Sequence, residues 1–241
     1  MTTPRLLEAA HLDYRIVVEP RNYDEYAAAN PRANFITLPE NRQGVSYVRN
    51  FILKHAHSEG HEYTWALDDD IRSFKHRSSG KAYEASARNA LSFVEHVVSD
   101  FTNIGAANIA DNTFAYGYDQ KPPLRINGQV CSVMYLRTDT PAQFRPNTIE
   151  DTDYSLQLLH HQYCTLSSKR VTMVKAPDGK LAGGLSATEY PGTGQLDRIL
   201  ELGQAWPHAN FRARERNGRW TMSPNRIWSK FPQRPQAAVG V

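Results

Sequence analysis

"TWALDDDIRSF", residues 64–74, decides the fold. An apolar run of strand-forming residues ends abruptly in Asp68, Asp69 and Asp70. Like charges this close repel by about 1 kcal/mol at 4 Å in water, and by about 4 kcal/mol at an effective dielectric of 20. In an extended chain alternate side chains share a face, so Asp68 and Asp70 point together and Asp69 points away. Two converging carboxylates call for positive charge between them. A hard divalent cation, Mg²⁺ or Mn²⁺, supplies that charge and brings substrate phosphates with it. The alternative is a solvated acidic turn. The ligand pattern of an EF-hand loop is missing.

Outward from this strand, hydrophobic runs alternate in type. "YRIVVE" (14–19) and "NFITLPE" (34–40) read as short buried strands. "GVSYVRNFILKHAHSEG" (44–60) reads as a helix with Val45, Val48, Ile52 and Ala56 on its apolar face, stopped by Gly60. "EASARNALSFVEHVVSDFTNIG" (84–105) is the clearest helix, with Ala87, Leu91, Val94, Val98 and Phe101 in one stripe and Gly105 at its end. "GQVCSVMYLRT" (128–138) is a central-strand pattern, "EDTDYSLQLLHHQY" (150–163) a helix opened by acids, and "KRVTMVKA" (169–176) a further strand. The Gly- and Ser-rich segment 179–194 reads as a mobile loop. The fold class is α/β: a mostly parallel central sheet with helices on both faces.

The bulk numbers agree with an enzyme-sized globular unit. The chain has 241 residues, 40% of them hydrophobic, and a net charge of +3. Cys131 and Cys164 stand far apart with no CxxC pair, which argues against a disulfide scaffold or a Cys-type zinc site. The first residues lack a basic region followed by a long apolar stretch, and no window approaches the about 18 apolar residues of a membrane span. A cytoplasmic protein with no membrane partner is expected. A P-loop, a dinucleotide fingerprint, a Ser/His/Asp order and an HExxH motif are all missing.

A second acidic cluster, "NTIEDTDYSLQLL" (147–159), places Glu150, Asp151 and Asp153 at a helix start. Carboxylates there either cap the helix or do chemistry. From 206 onward the composition changes. Arg212, Arg214, Arg216, Arg219, Arg226, Lys230 and Arg234 face a single acid, Glu215, and Trp220, Trp228 and Phe231 are interleaved. Positive charge with aromatics suits a polyanion: arginines for phosphates, rings for bases. The alternatives are a basic tail or side chains that pack back on the domain.

"GVSYVRNFILKHA" followed by "EYTWALDDDI" resembles the front half of a nucleotide-sugar glycosyltransferase of the GT-A type, with its Gly/Arg/Asn helix, hydrophobic strand and DxD motif. The resemblance implies a GT-A fold. It places Asp68 near the ribose or the metal, Asp70 on the metal and Asp69 in the middle position. It brings Arg49 and Asn50 near the donor nucleotide and makes Glu19, Pro20 and Tyr23 the grip on its base. The 147–159 cluster resembles the family's ED element. There Asp151, or else Glu150, faces the acceptor as general base in inverting members, while Asp153 caps the helix. His208 of "WPHANF" is the C-terminal histidine that often completes the metal shell. The 179–194 loop closes over the donor.

"ALDDDI" and "IEDTDYSLQLL" together, over about 15 to 210, resemble the bacteriophage TET-associated glycosyltransferases. That likeness implies transfer from a UDP-sugar to 5-hydroxymethylcytosine in DNA, with Mn²⁺ or Mg²⁺ as cofactor. The target base must then be flipped out or single-stranded. Residues 1–205 form the catalytic domain in this reading and 206–241 a basic C-terminal extension. Two rivals stand beside it: a GT-A enzyme acting on a glycan, lipid or protein, and a non-catalytic nucleic-acid-binding module.

Overall fold

The computed structural model describes residues 2–115, 122–176, 194–216, 219–222 and 227–238. In chain order its strands are β1 (Arg15–Val18), β2 (Asn34–Thr37), β3 (Tyr63–Leu67), β4 (Ile71–Ser78), β5 (Lys81–Ala85), β6 (Ile104–Asp111), β7 (Leu124–Ile126), β8 (Val133–Arg137), β9 (Cys164–Lys175), β10 (Ala213–Arg216) and β11 (Arg219–Met222). The helices are α1 (Thr3–Ala9), α2 (Tyr23–Ala29), α3 (Gly44–Ser58), α4 (Ala87–Ser99), α5 (Glu150–His160) and α6 (Gly194–Ala205). The segment 179–193, expected to be a mobile loop, lies outside the described residues.

The central sheet runs β3-β8-β6-β9-β4-β5, with β7 also on β9. It is mixed, not mostly parallel. Only β6 and β9 pair in parallel; every other neighbour pair described in it is antiparallel. The reason is connection length. Parallel neighbours need a crossover of a dozen residues or more. β4 and β5 are joined by Ser79 and Gly80 alone, at φ 49° and 73°. Two successive positive φ values match the strand twist and close a tight hairpin. The βα crossover pattern survives in β1 and β2, a separate parallel pair joined through α2.

Helices cover both faces, as expected. Val94 and Val98 of α4 and Leu7 of α1 pack with Ile104, Ala107 and Ile109 on one side. Leu53 of α3 and Tyr154 and Leu158 of α5 pack with Ala66, Ala106 and Met134 on the other. The strand alternation of β6 divides its small side chains between the two layers. Gly105 belongs to this strand and does not end α4. A Cβ on it would lie 2.7 Å from Leu158 Cδ2 and 2.9 Å from Tyr163 Cβ, so it lets α5 approach the sheet. Ser86 caps the start of α4, its hydroxyl accepting the Asn89 N–H at 3.2 Å. Ala87, Leu91, Val94 and Val98 of the helix's expected stripe are buried, whereas Phe101 lies beyond the helix end and is partly buried.

α3 is rotated from its expected face. Its buried residues are Ser46, Arg49, Leu53 and Ala56, so the first half of the inward face is polar. Described residues beyond α6 fold back onto the body. Trp206, Phe211, Trp228 and Phe231 pack around Leu156 of α5, Ala209 and Ile227. Trp228 and Phe231, expected as base-stacking rings, are therefore packing residues. Asn127 Nδ2 donates to the carbonyls of Phe231 and Gln233 at 3.2 and 2.9 Å. Among the described residues no helix is long and apolar enough to cross a membrane.

Candidate active site

β3 stops at Leu67, and the three aspartates form the turn into β4. Their main chain is pinned from three directions. Thr3 Oγ1 donates to the Asp68 carbonyl at 2.7 Å and accepts the Ile71 N–H at 3.0 Å. The Asp68 N–H donates to the Ser132 carbonyl at 2.8 Å, and the Ala176 N–H to that of Asp70 at 3.0 Å. The N–H groups of Thr2 and Thr3 reach the Asp69 carbonyl at 3.2 and 3.3 Å.

Asp68 and Asp70 converge and Asp69 is exposed, as side-chain alternation required, although a turn rather than a pleat produces it. The positive charge between them belongs to the protein. Lys175 Nζ, at the end of β9, lies 3.7 Å from Asp68 Oδ2 and 3.7 Å from Asp70 Oδ2. Arg49 Nη2 stands 3.4 Å from Asp68 Oδ1. Burial pushes the Asp70 carboxyl above its ordinary pKa. Lys175 opposes that shift, and Asp68 and Asp69 add to it. Asp70 Oδ1 is buried without a hydrogen-bond partner among the described residues.

Two carboxylate oxygens aimed at one point, plus one orphaned oxygen beside them, fit a hard cation that completes its shell with water and phosphate. His208 contributes no contact to this pair among the described residues. It is exposed on a short turn, and its carbonyl accepts Lys230 Nζ at 2.7 Å. No group of three His, Cys, Asp or Glu side chains gathers at metal-binding range among the described residues.

The second acidic cluster meets the first at Arg49. Arg49 Nη1 donates to Glu150 Oε1 at 2.9 Å, and Arg198 Nη2 of α6 to Glu150 Oε2 at 2.6 Å. Arg198 Nε also holds the Thr148 carbonyl at 2.6 Å. All three charged side chains are buried. Both oxygens of Glu150 are thus taken by guanidinium groups, which makes it an anchor for Arg49.

Asp151, next in the chain, is partly open to solvent and crowded by protein elsewhere. Burial, then the charge of Glu150, pushes its pKa up to about 6. Arg49, a bond from Gln129 and the Thr152 N–H at 2.6 Å work the other way. A carboxylate that titrates near neutrality suits proton abstraction. Cys131 lies close enough to both acidic clusters for each to act on its thiol. Burial raises that pKa to about 12, with Asp151 and Asp68 adding to it. Asp153 serves packing instead. Fully buried, it is paired with Arg145 and accepts Trp206 Nε1 and Gln157 Nε2, each at 2.7 Å. None of the three acids sits at the N-cap, which is Ile149.

A cavity of about 1160 Å³ opens beside this centre. Val18 and Glu19 at the end of β1, Leu38 after β2, the start of α3 and Arg198 of α6 line it. Glu19 accepts the Arg42 N–H at 2.8 Å and pairs with Arg21 at 2.6 Å. Val45 and Val48, expected in the core, also face this cavity. Tyr23 is exposed and packs edge-on against Phe35; Tyr26, one turn on, takes the lining position. Pro20 opens a short 3₁₀ turn, Pro20–Asn22. The Asn50 amide exchanges two bonds with the Phe144 main chain, at 2.8 and 2.9 Å, and so fixes the approach to α5.

A family model described as TET-Associated Glycosyltransferase matches residues 1–184. The chain belongs to the TET-associated glycosyltransferase family. A search of curated proteins found no match. The matched span carries both acidic clusters, Arg49 and Lys175, whereas α6 and the C-terminal segment lie beyond it.

Three residues of this TET-associated glycosyltransferase escaped the sequence reading. Lys175 had a signal: a lysine at the carboxyl end of a strand, where α/β sheets bind ligands. Arg198 interrupts an apolar stripe it shares with Ile199 and Leu202, an anomaly that marks a buried charge needing a partner. Thr3 had none, because its importance arises entirely from a contact with residues 65 and 68 positions away.

Proposed function

We propose that this glycosyltransferase has a GT-A-type donor site and transfers a sugar from a UDP-sugar to 5-hydroxymethylcytosine in DNA of bacteriophage origin. The observation that carries the reading is Arg49. It touches Asp68 and Glu150 at once, which supports reading the aspartate turn and the start of α5 as one site. Arg198, which bonds Glu150 and lines the cavity, links that site to the adjoining space. Family membership supports sugar transfer and a nucleic-acid acceptor.

In this reading the cavity takes the uridine, with Glu19 and Tyr26 at the base. Asp68 and Asp70 hold Mn²⁺ or Mg²⁺, which when bound neutralises the leaving diphosphate. Arg49 fixes Asp68 from behind. Asp69, exposed and unused by the cation, faces the sugar. The hydroxymethyl oxygen forms a bond to the anomeric carbon as the bond from that carbon to the diphosphate breaks. The electron pair leaves with UDP. With inversion, the hydroxyl proton passes to Asp151, and a positioned base of this kind contributes about 10²–10⁴-fold.

Because the aromatic rings of the C-terminal segment are largely packed, the acceptor's phosphates are assigned to the β4–β5 hairpin. It grows directly from Asp70 and exposes Arg72, Lys81 and Tyr83. Residues 1–205 are the catalytic unit in this reading, and 206–241 an extension that braces α5.

The test is transfer of labelled sugar, from a panel of UDP-sugars with Mn²⁺, to duplex and single-stranded DNA with and without 5-hydroxymethylcytosine. Label on the modified DNA alone is the expected result. Label on neither DNA with every donor would refute the acceptor assignment.

A further inference from the structure

We propose that Lys175 is a resident counter-ion of the Asp68–Asp70 pair, and that a divalent cation enters only by displacing its ammonium. This rests on the metal-dependent donor site proposed above.

The geometry is symmetrical. Nζ stands 3.7 Å from one oxygen of each carboxylate and 3.5 Å from Ser132 Oγ. The carboxylate distances exceed those of a good N–H···O bond, so that attraction is mainly coulombic. A Mg²⁺-like cation bound to those same oxygens at about 2.0–2.1 Å would occupy the space in front of the ammonium. Two positive charges cannot share it, so one must move. The lysine can, on a flexible four-carbon stem.

The backbone on either side is fixed, which confines the movement to the side chain. Ser132 holds the left-handed conformation, φ 61°, while its carbonyl accepts the Asp68 N–H. The Ala176 N–H, one residue beyond the lysine, donates to the Asp70 carbonyl at 3.0 Å. Lys175 is therefore tied by its neighbour to the aspartate whose charge it answers.

The displaced ammonium needs another anion. The diphosphate of a nucleotide provides one beside the cation. Metal and nucleotide then bind cooperatively: each removes the penalty the other meets alone, and the coupling is reciprocal. The lysine's charge, 3.7 Å from each carboxylate, also offsets the repulsion between Asp68 and Asp70.

The experiment is titration of the full chain with Mn²⁺, read by calorimetry and by the EPR signal of free Mn²⁺, with and without UDP. Wild type is compared with Lys175→Met and Lys175→Gln, and circular dichroism checks the fold of each. Coulomb interaction at this range in a partly buried, solvent-screened site corresponds to about tenfold in a binding constant. Both variants are expected to bind Mn²⁺ alone about tenfold more tightly than wild type, with a smaller enhancement by UDP. Equal or weaker Mn²⁺ binding by both variants, with wild type responsive to UDP, overturns the role of Lys175 alone. Failure of all three proteins to bind Mn²⁺ even with UDP overturns the metal reading and this inference with it.

Discussion

Arg49 donates to Glu150 at 2.9 Å, across 101 residues of chain, and with its other nitrogen stands 3.4 Å from Asp68. One guanidinium thus ties the turn after β3 to the start of α5. Burial pulls the pKa of Arg49 down, but the charges of Asp68, Glu150 and Asp151 outweigh it. Removing one partner of a buried pair strands the others, typically at about 3–5 kcal/mol. Arg49→Met is expected to lower stability by that order and to weaken UDP binding. Chemical denaturation with a UDP titration measures both. Unchanged stability would show that the pair is not buried as described.

Thr3 makes a smaller prediction of the same kind. Thr3→Val keeps the shape and removes the hydroxyl that serves both the Asp68 carbonyl and the buried Ile71 N–H. A buried group left without its partner costs about 1–3 kcal/mol. Stability should fall by that order, and Mn²⁺-dependent UDP affinity should fall with it as the aspartate turn loosens. Loss of stability with full UDP affinity would show that the chain's first residues do not position the turn.

How far the sequence led is clearest at these residues. Strand alternation predicted the convergence of Asp68 and Asp70, but the turn after β3 produces it, and α4 was legible from its apolar stripe. The face of α3 was misjudged because burial there serves Arg49 and Ser46, which no apolar periodicity announces. The β4–β5 hairpin was missed although Ser79-Gly80 is a turn pair, because Lys75, His76 and Arg77 mask the strand pattern between Phe74 and the turn. Arg198 and Lys175 each carried a local signal, but the partners that give them meaning are carboxylates far away in the chain.

Gly105 gives a test of the packing between α5 and the sheet. Gly105→Ala drives a methyl group to within 2.7 Å of Leu158 Cδ2 and 2.9 Å of Tyr163 Cβ. Overpacking of this sort costs about 1–3 kcal/mol. Because α5 carries Glu150 and Asp151, the turnover rate should fall more than UDP affinity does. A variant as stable and active as wild type would contradict the close approach.

The proposed acceptor surface on the β4–β5 hairpin can be tested apart from donor binding. Arg72→Ala combined with Lys81→Ala should weaken DNA binding and flatten its dependence on salt, by about 0.9 in log–log slope for each phosphate no longer neutralised. UDP binding should not change. Filter binding across salt concentrations measures the slope, and an unaltered slope removes the hairpin from the acceptor surface.

Asp151 carries the central claim. Its folded-state pKa is raised to about 6, so the folded chain holds a proton there that the unfolded chain has already released. Folding therefore becomes less favourable as pH rises from the ordinary carboxylate range to about 6, by at most about 3 kcal/mol. Asp151→Asn should be more stable than wild type at pH 7.5, with the gap closing towards pH 4.

The same ionised carboxylate is the proposed base, so the most direct measurement is the pH profile of single-turnover sugar transfer to 5-hydroxymethylcytosine DNA. Wild type should gain rate through about pH 6. Asp151→Asn should bind UDP normally and lose about 10²-fold or more in transfer at every pH. An Asp151→Asn enzyme that keeps both the wild-type rate and the wild-type profile would contradict the assignment of Asp151 as the base.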